Sequence, residues 1–133
     1  MSEPCKILVV EDEPDLREGL REALAHEGYA VQVAANGLAA LDLLRDGGTT
    51  PRLIILDLMM PAVSGWEFHA AARRDPKLSR IPILVLSAAV DQRTQTWLGV
   101  PPEDCITKPF ELATLLAAVE RHCRRAPAEE TGE

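Results

Sequence analysis

The sequence predicts an α/β fold with a doubly wound, five-stranded parallel sheet that has helices on both faces. Five strand-like segments, most of them apolar runs of Val, Ile and Leu, alternate along the chain with segments of helical periodicity. Such runs are typical of parallel strands, because a parallel sheet is covered on both faces and presents no polar side. Each parallel connection crosses over the sheet, which places the helices on its two faces.

The composition is typical of one globular domain. Of the 133 residues, 47% are hydrophobic and 26% are charged, and the net charge of -7 disfavours nucleic acid and anionic membranes as partners. No apolar run approaches the ~20 residues that span a bilayer, and the first apolar run is too short for a signal peptide. Cys5, Cys105 and Cys123 are widely spaced and odd in number, which predicts neither a zinc site nor a disulfide framework. A reducing cytoplasm is therefore the expected location.

The first strand and helix follow close to the N-terminus. Lys6 to Val10 is an apolar run that ends in three consecutive acids. Pro14 suits the first turn of a helix, and Asp12 is a candidate to cap it. Leucines four residues apart form one apolar face, so this helix is expected to stop near Gly28.

A second strand and helix occupy residues 29–48. Alternating valines predict a strand over residues 29–35, and Asn36-Gly37 is a turn signal. Leucines at helical spacing then predict a helix that ends at Gly47-Gly48.

The next strand is the most informative stretch of the chain. Leu53-Ile54-Ile55-Leu56 is continuously apolar and ends in Asp57, and Pro61 then stops regular pairing. Open α/β sheets bind ligands at the carboxyl ends of their strands, so Asp57 is the first candidate for chemistry. The same acid would also fit a plain structural role in the turn.

The remaining elements continue the alternation and end in a Pro/Glu/Gly-rich tail. That composition predicts disorder over residues 126–133, after a single domain of residues 5–125. The expected elements are a helix over 66–74, a strand over 82–86, a short helix over 91–98, a strand over 104–107 and an amphipathic helix from 112.

Polar side chains follow four of the five predicted strands. Because the carboxyl ends of parallel strands share one edge, these groups are expected to converge. Taken singly, each would also fit a helix cap, a turn hydroxyl or a solvated charge. The residues are Glu11, Asp12, Asp57, Ser87 and Lys108.

Convergence of three carboxylates requires a counter-charge. At ~4 Å and an effective dielectric of 20, each close pair of carboxylates repels by about 4 kcal/mol, which one lysine does not offset. Clustered carboxylates suit Mg²⁺. A lysine, a hydroxyl and a metal ion together would hold a phosphoryl group and leave one acid free as the nucleophile.

These segments together resemble the receiver domain of two-component response regulators. The similarity covers about residues 5–125, nearly the whole chain. It implies a flavodoxin-like sheet with strand order 2-1-3-4-5. The matching segments are residues 7–12, 56–61 with Gly65, 86–88 and 107–110.

The resemblance implies a role for Asp57 and for the residues around it. Asp57 would accept a phosphoryl group from a histidine kinase or a histidine phosphotransfer protein. Ser87 and Lys108 would each bind a phosphoryl oxygen. The peptide bond between Lys108 and Pro109 is expected to be cis.

The resemblance also implies a magnesium site. Glu11, Asp12, Asp57 and the backbone carbonyl of Met59 would form it, and Asp12 would be the more direct ligand of the acidic pair. The protein is expected not to be an enzyme beyond catalysing its own phosphorylation and dephosphorylation.

The output of the domain departs from the family pattern. Cys105 stands where receiver domains usually carry an aromatic side chain that rotates on activation. No output domain is recognisable after Arg125, which predicts a stand-alone module that signals by binding a partner or by relaying its phosphoryl group.

Two alternatives compete with this interpretation. A haloacid-dehalogenase-type phosphatase also uses a strand-end Asp, but it needs an acid two residues later, where this chain has Met59. A receiver-like interaction module that never takes phosphate would typically have lost the nucleophile, an acid or the lysine, and all are present.

Overall fold

A parallel sheet organises the domain, and the computed structural model describes it through residues 4–46, 50–57, 65–87 and 102–131. The described elements follow one another as strand and helix, with a short 3-10 turn before the last strand. They are β1 (Lys6–Val10), α1 (Pro14–His26), β2 (Ala30–Ala34), α2 (Gly37–Arg45), β3 (Leu53–Asp57), α3 (Gly65–Arg74), β4 (Ile83–Ser87), the 3-10 turn (Pro102–Asp104), β5 (Cys105–Thr107) and α4 (Leu112–Thr131). The short helix predicted over residues 91–98 lies outside the described residues.

The five strands are all parallel and lie in the order β2-β1-β3-β4-β5. Both the parallel sheet and its strand order are therefore confirmed. β3 is the central strand, and each of its five residues is buried. This placement brings the carboxyl ends of β1 and β4 to either side of Asp57.

Within the described part of the chain, two helices pack against each face of the sheet. Ile54 and Leu56 of β3 point to one core with α2 and α3, where Phe68 is completely buried. Leu53 and Ile55 point to a second core with α1 and α4. Since both faces are covered, the strands need no polar side, which explains their continuous apolar runs.

The first two helices start at side-chain caps. The Glu13 carboxylate accepts a hydrogen bond from the Leu16 backbone N–H at 2.8 Å and so caps α1. The prediction of Asp12 as the cap was wrong by one residue, since Pro14 stands at the first helical position and the cap directly precedes it. Asn36 caps α2 through the Ala39 N–H at 2.8 Å.

The last helix is longer than the sequence suggests. Disorder is predicted from residue 126, but α4 continues through Thr131. Local propensity does not explain this extension, because it contains Pro127, and proline is the least favourable residue in a helix interior. The domain limits of residues 5–125 stay a prediction. Among the described helices, none has both the length and the apolar character to cross a membrane.

Cys5 and Cys123 form a disulfide, so the prediction that the cysteines make no disulfide was wrong. Their Cα atoms lie 5.9 Å apart although the residues are 118 positions apart in sequence. The pairing depends on the fold, because α4 packs along the sheet and places Cys123 beside Cys5, the residue that precedes β1. Spacing along the chain does not carry that information.

Candidate functional site

Three carboxylates meet at the carboxyl edge of the sheet. Glu11 and Asp12 directly follow β1, and Asp57 ends the neighbouring strand β3. One carboxylate oxygen of each residue lies within 4.8 Å of the other two. Glu11 and Asp57 are only 1% and 3% exposed, whereas Asp12 is half-buried. The structure thus brings together the acids that the sequence singles out.

Lys108 reaches this cluster from the end of β5. Its Nζ donates a hydrogen bond to Oδ2 of Asp57 at 3.1 Å and lies 3.8 Å from Oε1 of Glu11. Its backbone N–H donates to the Ser87 carbonyl at 2.7 Å, and the peptide bond to Pro109 is cis. One cation therefore faces two buried acids.

Ser87 lies beside the same cluster. It ends β4 and is 4% exposed. In the sheet register the preceding residue, Leu86, pairs with Asp57, and Ser87 itself pairs with Thr107 of β5. Ser87 therefore ends β4, which lies between β3, the strand that ends in Asp57, and β5, the strand that Lys108 follows.

Burial changes the acidity of Glu11. Loss of water raises the pKa of the Glu11 carboxyl to about 7, and the neighbouring Asp57 carboxylate adds to the rise. A hydrogen bond from the Glu13 N–H, 3.1 Å from Oε2, and the Lys108 charge act in the opposite direction. No described residue donates a hydrogen bond to Oε1, which is fully buried.

This donor set fits a hard cation such as Mg²⁺. Carboxylate oxygens are its preferred protein ligands. Oε1 of Glu11 is buried and lies near the Lys108 ammonium, but it accepts no hydrogen bond from a described residue. A buried polar atom without a hydrogen bond lowers the stability of the fold. Met59, the fourth predicted ligand through its carbonyl, lies outside the described residues.

Two supporting residues were missed by the sequence analysis. Arg17 donates from Nη1 to the Glu11 carbonyl at 3.0 Å and lies 3.5 Å from the Asp12 carbonyl. The Glu13 backbone N–H donates a hydrogen bond to the Glu11 carboxylate, and the Glu13 side chain caps α1. The position of Glu13 next to Pro14 was a usable signal, whereas nothing in the sequence pointed to Arg17.

The response regulator receiver domain family matches residues 7–120 of this chain. The chain belongs to this family. The match includes all five described strands except the first residue of β1, and it contains each of the acids, the serine and the lysine described above.

Named relatives of this receiver domain are response regulators. It is 38% identical over 129 residues to response regulator MprA of a Mycobacterium species, which covers 96% of this chain and 54% of the relative. It is 40% identical over 140 residues to the alkaline phosphatase synthesis transcriptional regulatory protein SphR of Synechococcus elongatus, covering 96% and 53%. The chain thus spans about half the length of these relatives.

Solved receiver structures share the fold along most of the chain. Chemotaxis protein CheY4 of Vibrio cholerae superposes with a TM-score of 0.79 at 30% identity, covering 90% of this chain and 98% of that one. Response regulator TrrA of Thermotoga maritima, solved in complex with Mg²⁺ and BeF, gives a TM-score of 0.72 at 35% identity, covering 87% and 96%.

Proposed function

We propose that this receiver domain takes a phosphoryl group from a phosphohistidine donor onto Asp57 and signals through its phosphorylated form. The observation that carries the proposal is the buried Asp57 carboxylate, which ends the central strand with the Lys108 ammonium 3.1 Å away. A buried carboxylate beside a fixed cation, at the ligand-binding edge of a parallel sheet, is suited to covalent phosphoryl transfer.

The transfer is a displacement at phosphorus. An Asp57 oxygen forms the new O–P bond while the N–P bond of the phosphohistidine breaks, and the electron pair of that bond stays on the imidazole, which takes up a proton. Charge on the transferred group is spread over its three remaining oxygens, so fixed donors around them lower the barrier. Lys108 would bind one such oxygen, and the Ser87 hydroxyl would donate to another.

Glu11, Asp12 and Asp57 would hold Mg²⁺ in this scheme, together with the carbonyl of Met59. When bound, the ion supplies positive charge that offsets the repulsion between the acids and the incoming phosphoryl oxygens. Arg17 would keep the loop of Glu11 and Asp12 in place through its contact with the Glu11 carbonyl at 3.0 Å.

The donor would be a histidine kinase or a histidine phosphotransfer protein, as is general for response regulators. The output would be partner binding or onward relay, with no catalysis beyond the domain's own phosphorylation and dephosphorylation. One relative, SphR, is a transcriptional regulatory protein, so a transcriptional output is one form that the signal of a receiver domain can take.

Labelling with a small phosphodonor tests the proposal. Incubation with acetyl phosphate and Mg²⁺ should add one phosphoryl group, detected by intact mass and by phosphate-affinity gel shift. Asp57→Asn should abolish the label, and the exposed Asp42→Asn should retain it. Label on the Asp57 variant would refute the acceptor, and unlabelled wild type would favour a phosphorylation-independent interaction module.

A further inference from the structure

A disulfide lies at the end of the sheet opposite Asp57, where the strands begin. Cys5 directly precedes β1 and is joined to Cys123 of α4 by the disulfide. Both cysteines are half-buried and pack against the core shared by α1 and α4. The Cys5 carbonyl also accepts a hydrogen bond from Ala30 at the start of β2, at 3.0 Å. The bridge therefore joins the edge of the sheet where β1 and β2 begin to the last helix.

Neighbouring residues of α4 make ionic contacts with the same edge. Arg121 and His122 both bond to the buried Asp104 carboxylate just before β5, with His122 Nε2 2.9 Å from Oδ1. Arg52, just before β3, lies with Nη1 3.5 Å from the Cys123 carbonyl. Residues 121–123 of α4 thus contact the chain ahead of β1, β3 and β5. Only the contact ahead of β1 is covalent and can be switched by redox chemistry.

We propose that Cys5 and Cys123 are a reversible thiol–disulfide site that takes low-molecular-weight disulfides and thiols as its reactants. Starting from the two thiols, one thiolate attacks a sulfur of the oxidant RSSR, giving a mixed disulfide and one RS⁻. The second thiolate attacks the protein sulfur of that mixed disulfide, the protein disulfide forms, and a second RS⁻ leaves. In sum, two protein thiols and RSSR become one protein disulfide and two RSH.

The surroundings favour this exchange. Both sulfurs belong to half-buried residues, so a small disulfide can approach from solvent. Reduction would leave the contacts of Asp104 with Arg121 and His122 in place. The C-terminal half of α4 would then loosen while the rest of the fold persists.

The oxidised state should be much more resistant to unfolding than the reduced one. The bridge closes a ring over 118 positions of sequence, and a ring of that length removes more unfolded-state freedom than a short one. For a domain of this size we expect reduction to lower Tm by about 10 °C. The acceptor site lies at the other edge of the sheet, so Mg²⁺ binding should be unchanged.

The experiment equilibrates the full chain with defined ratios of reduced and oxidised glutathione. Intact mass should show the loss of two hydrogens on oxidation, and peptide mapping should assign the bridge to Cys5 and Cys123. Hydrogen exchange in the second half of α4, residues 122–131, should be slower in the oxidised protein. Persistent free thiols in excess oxidised glutathione, or equal exchange in the two states, would overturn the proposal.

Serine variants distinguish the bridged pair, Cys5 and Cys123, from the third cysteine, Cys105. Cys123→Ser should lower Tm to the value of the reduced wild type and remove its dependence on dithiothreitol. The matched variant Cys105→Ser, which alters the cysteine outside the bridge, should keep that dependence in full. Because the oxidised and reduced wild type are compared directly, the test stands even if a serine variant folds poorly. A redox response lost in Cys105→Ser would refute the assignment.

Discussion

Nζ of Lys108 lies 3.1 Å from Oδ2 of Asp57, although the two residues are 51 positions apart in sequence. The contact exists because β3 and β5 flank β4 in one parallel sheet, so both residues lie at its carboxyl edge. The Lys108 side chain is 29% exposed and that of Asp57 is 4% exposed. The ammonium therefore covers the acceptor from the solvent side, within reach of oxygens added to it.

Replacement of Lys108 by Ala should slow phosphorylation of Asp57 by about 10- to 100-fold, because a charge-assisted hydrogen bond to a buried anion is worth about 1.5–3 kcal/mol. The rate of mass gain with acetyl phosphate measures it. The exposed Lys77→Ala is the matched control and should react at the wild-type rate. A Lys108 variant as fast as the control would show that the ammonium does not assist transfer.

The two acids after β1 should contribute unequally to Mg²⁺ affinity. Asp12 is the expected direct ligand, so Asp12→Asn should weaken binding more than Glu11→Gln. The geometry supports this order, since Asp12 is half-buried and open to a hydrated ion, whereas Glu11 is 1% exposed and already accepts a hydrogen bond from the Glu13 N–H. Calorimetric titration with Mg²⁺ gives both affinities.

The exposed Asp15 provides the control for this comparison, because Asp15→Asn changes the net charge equally without touching the cluster. Its effect should be the smallest of the three. If Glu11→Gln proves the most damaging change, the assignment of Asp12 as the direct ligand is wrong.

The positions of Asp57 and Lys108 could be predicted because both residues lie at the carboxyl ends of strands, and the apolar runs in the sequence show where those strands end. The Cys5–Cys123 bridge and the contacts of Asp104 with α4 could not, because each joins residues far apart in sequence across the opposite edge. No local pattern encodes how a helix lies across a sheet. Arg17 was missed for a related reason, since its hydrogen bonds go to backbone carbonyls, which any residue type could offer.

The Asp104 carboxylate should stabilise the fold in a pH-dependent way. Burial alone would raise the pKa of Asp104, but hydrogen bonds from His122 and Arg121 outweigh it and hold the pKa below its ordinary value of 3.8. A group whose pKa is lowered by folding stabilises the folded state above its unfolded-state value. That stabilisation is lost as the pH falls through the lower, folded-state pKa.

Asp104→Asn should therefore lower the free energy of unfolding by about 2 kcal/mol at pH 7. The difference from wild type should shrink as the pH falls below 3.8, where the wild-type carboxyl also loses its charge. Urea unfolding at several pH values measures both quantities. Asp42→Asn, at an exposed acid of α2, should show no such trend. A constant difference at every pH would mean that the charge of Asp104 is not what stabilises the fold.

The response to phosphorylation should appear in the backbone of residues 88–103 rather than in a rotating side chain of β5. Cys105 is too small for the swing that an aromatic side chain makes at this position. Asp104 is also fixed to α4 by Arg121 and His122, and Lys108 is fixed to Asp57, so β5 is restrained at both of its ends. A population shift needs an element with two arrangements, and restrained β5 is poorly suited to be that element.

Backbone amide shifts on adding beryllofluoride and Mg²⁺, recorded by NMR, should therefore concentrate between Ser87 and Asp104. Asp57→Asn serves as the control and should show none of them. Shifts confined to residues around Asp57, or centred on β5 and α4, would contradict this account of the output.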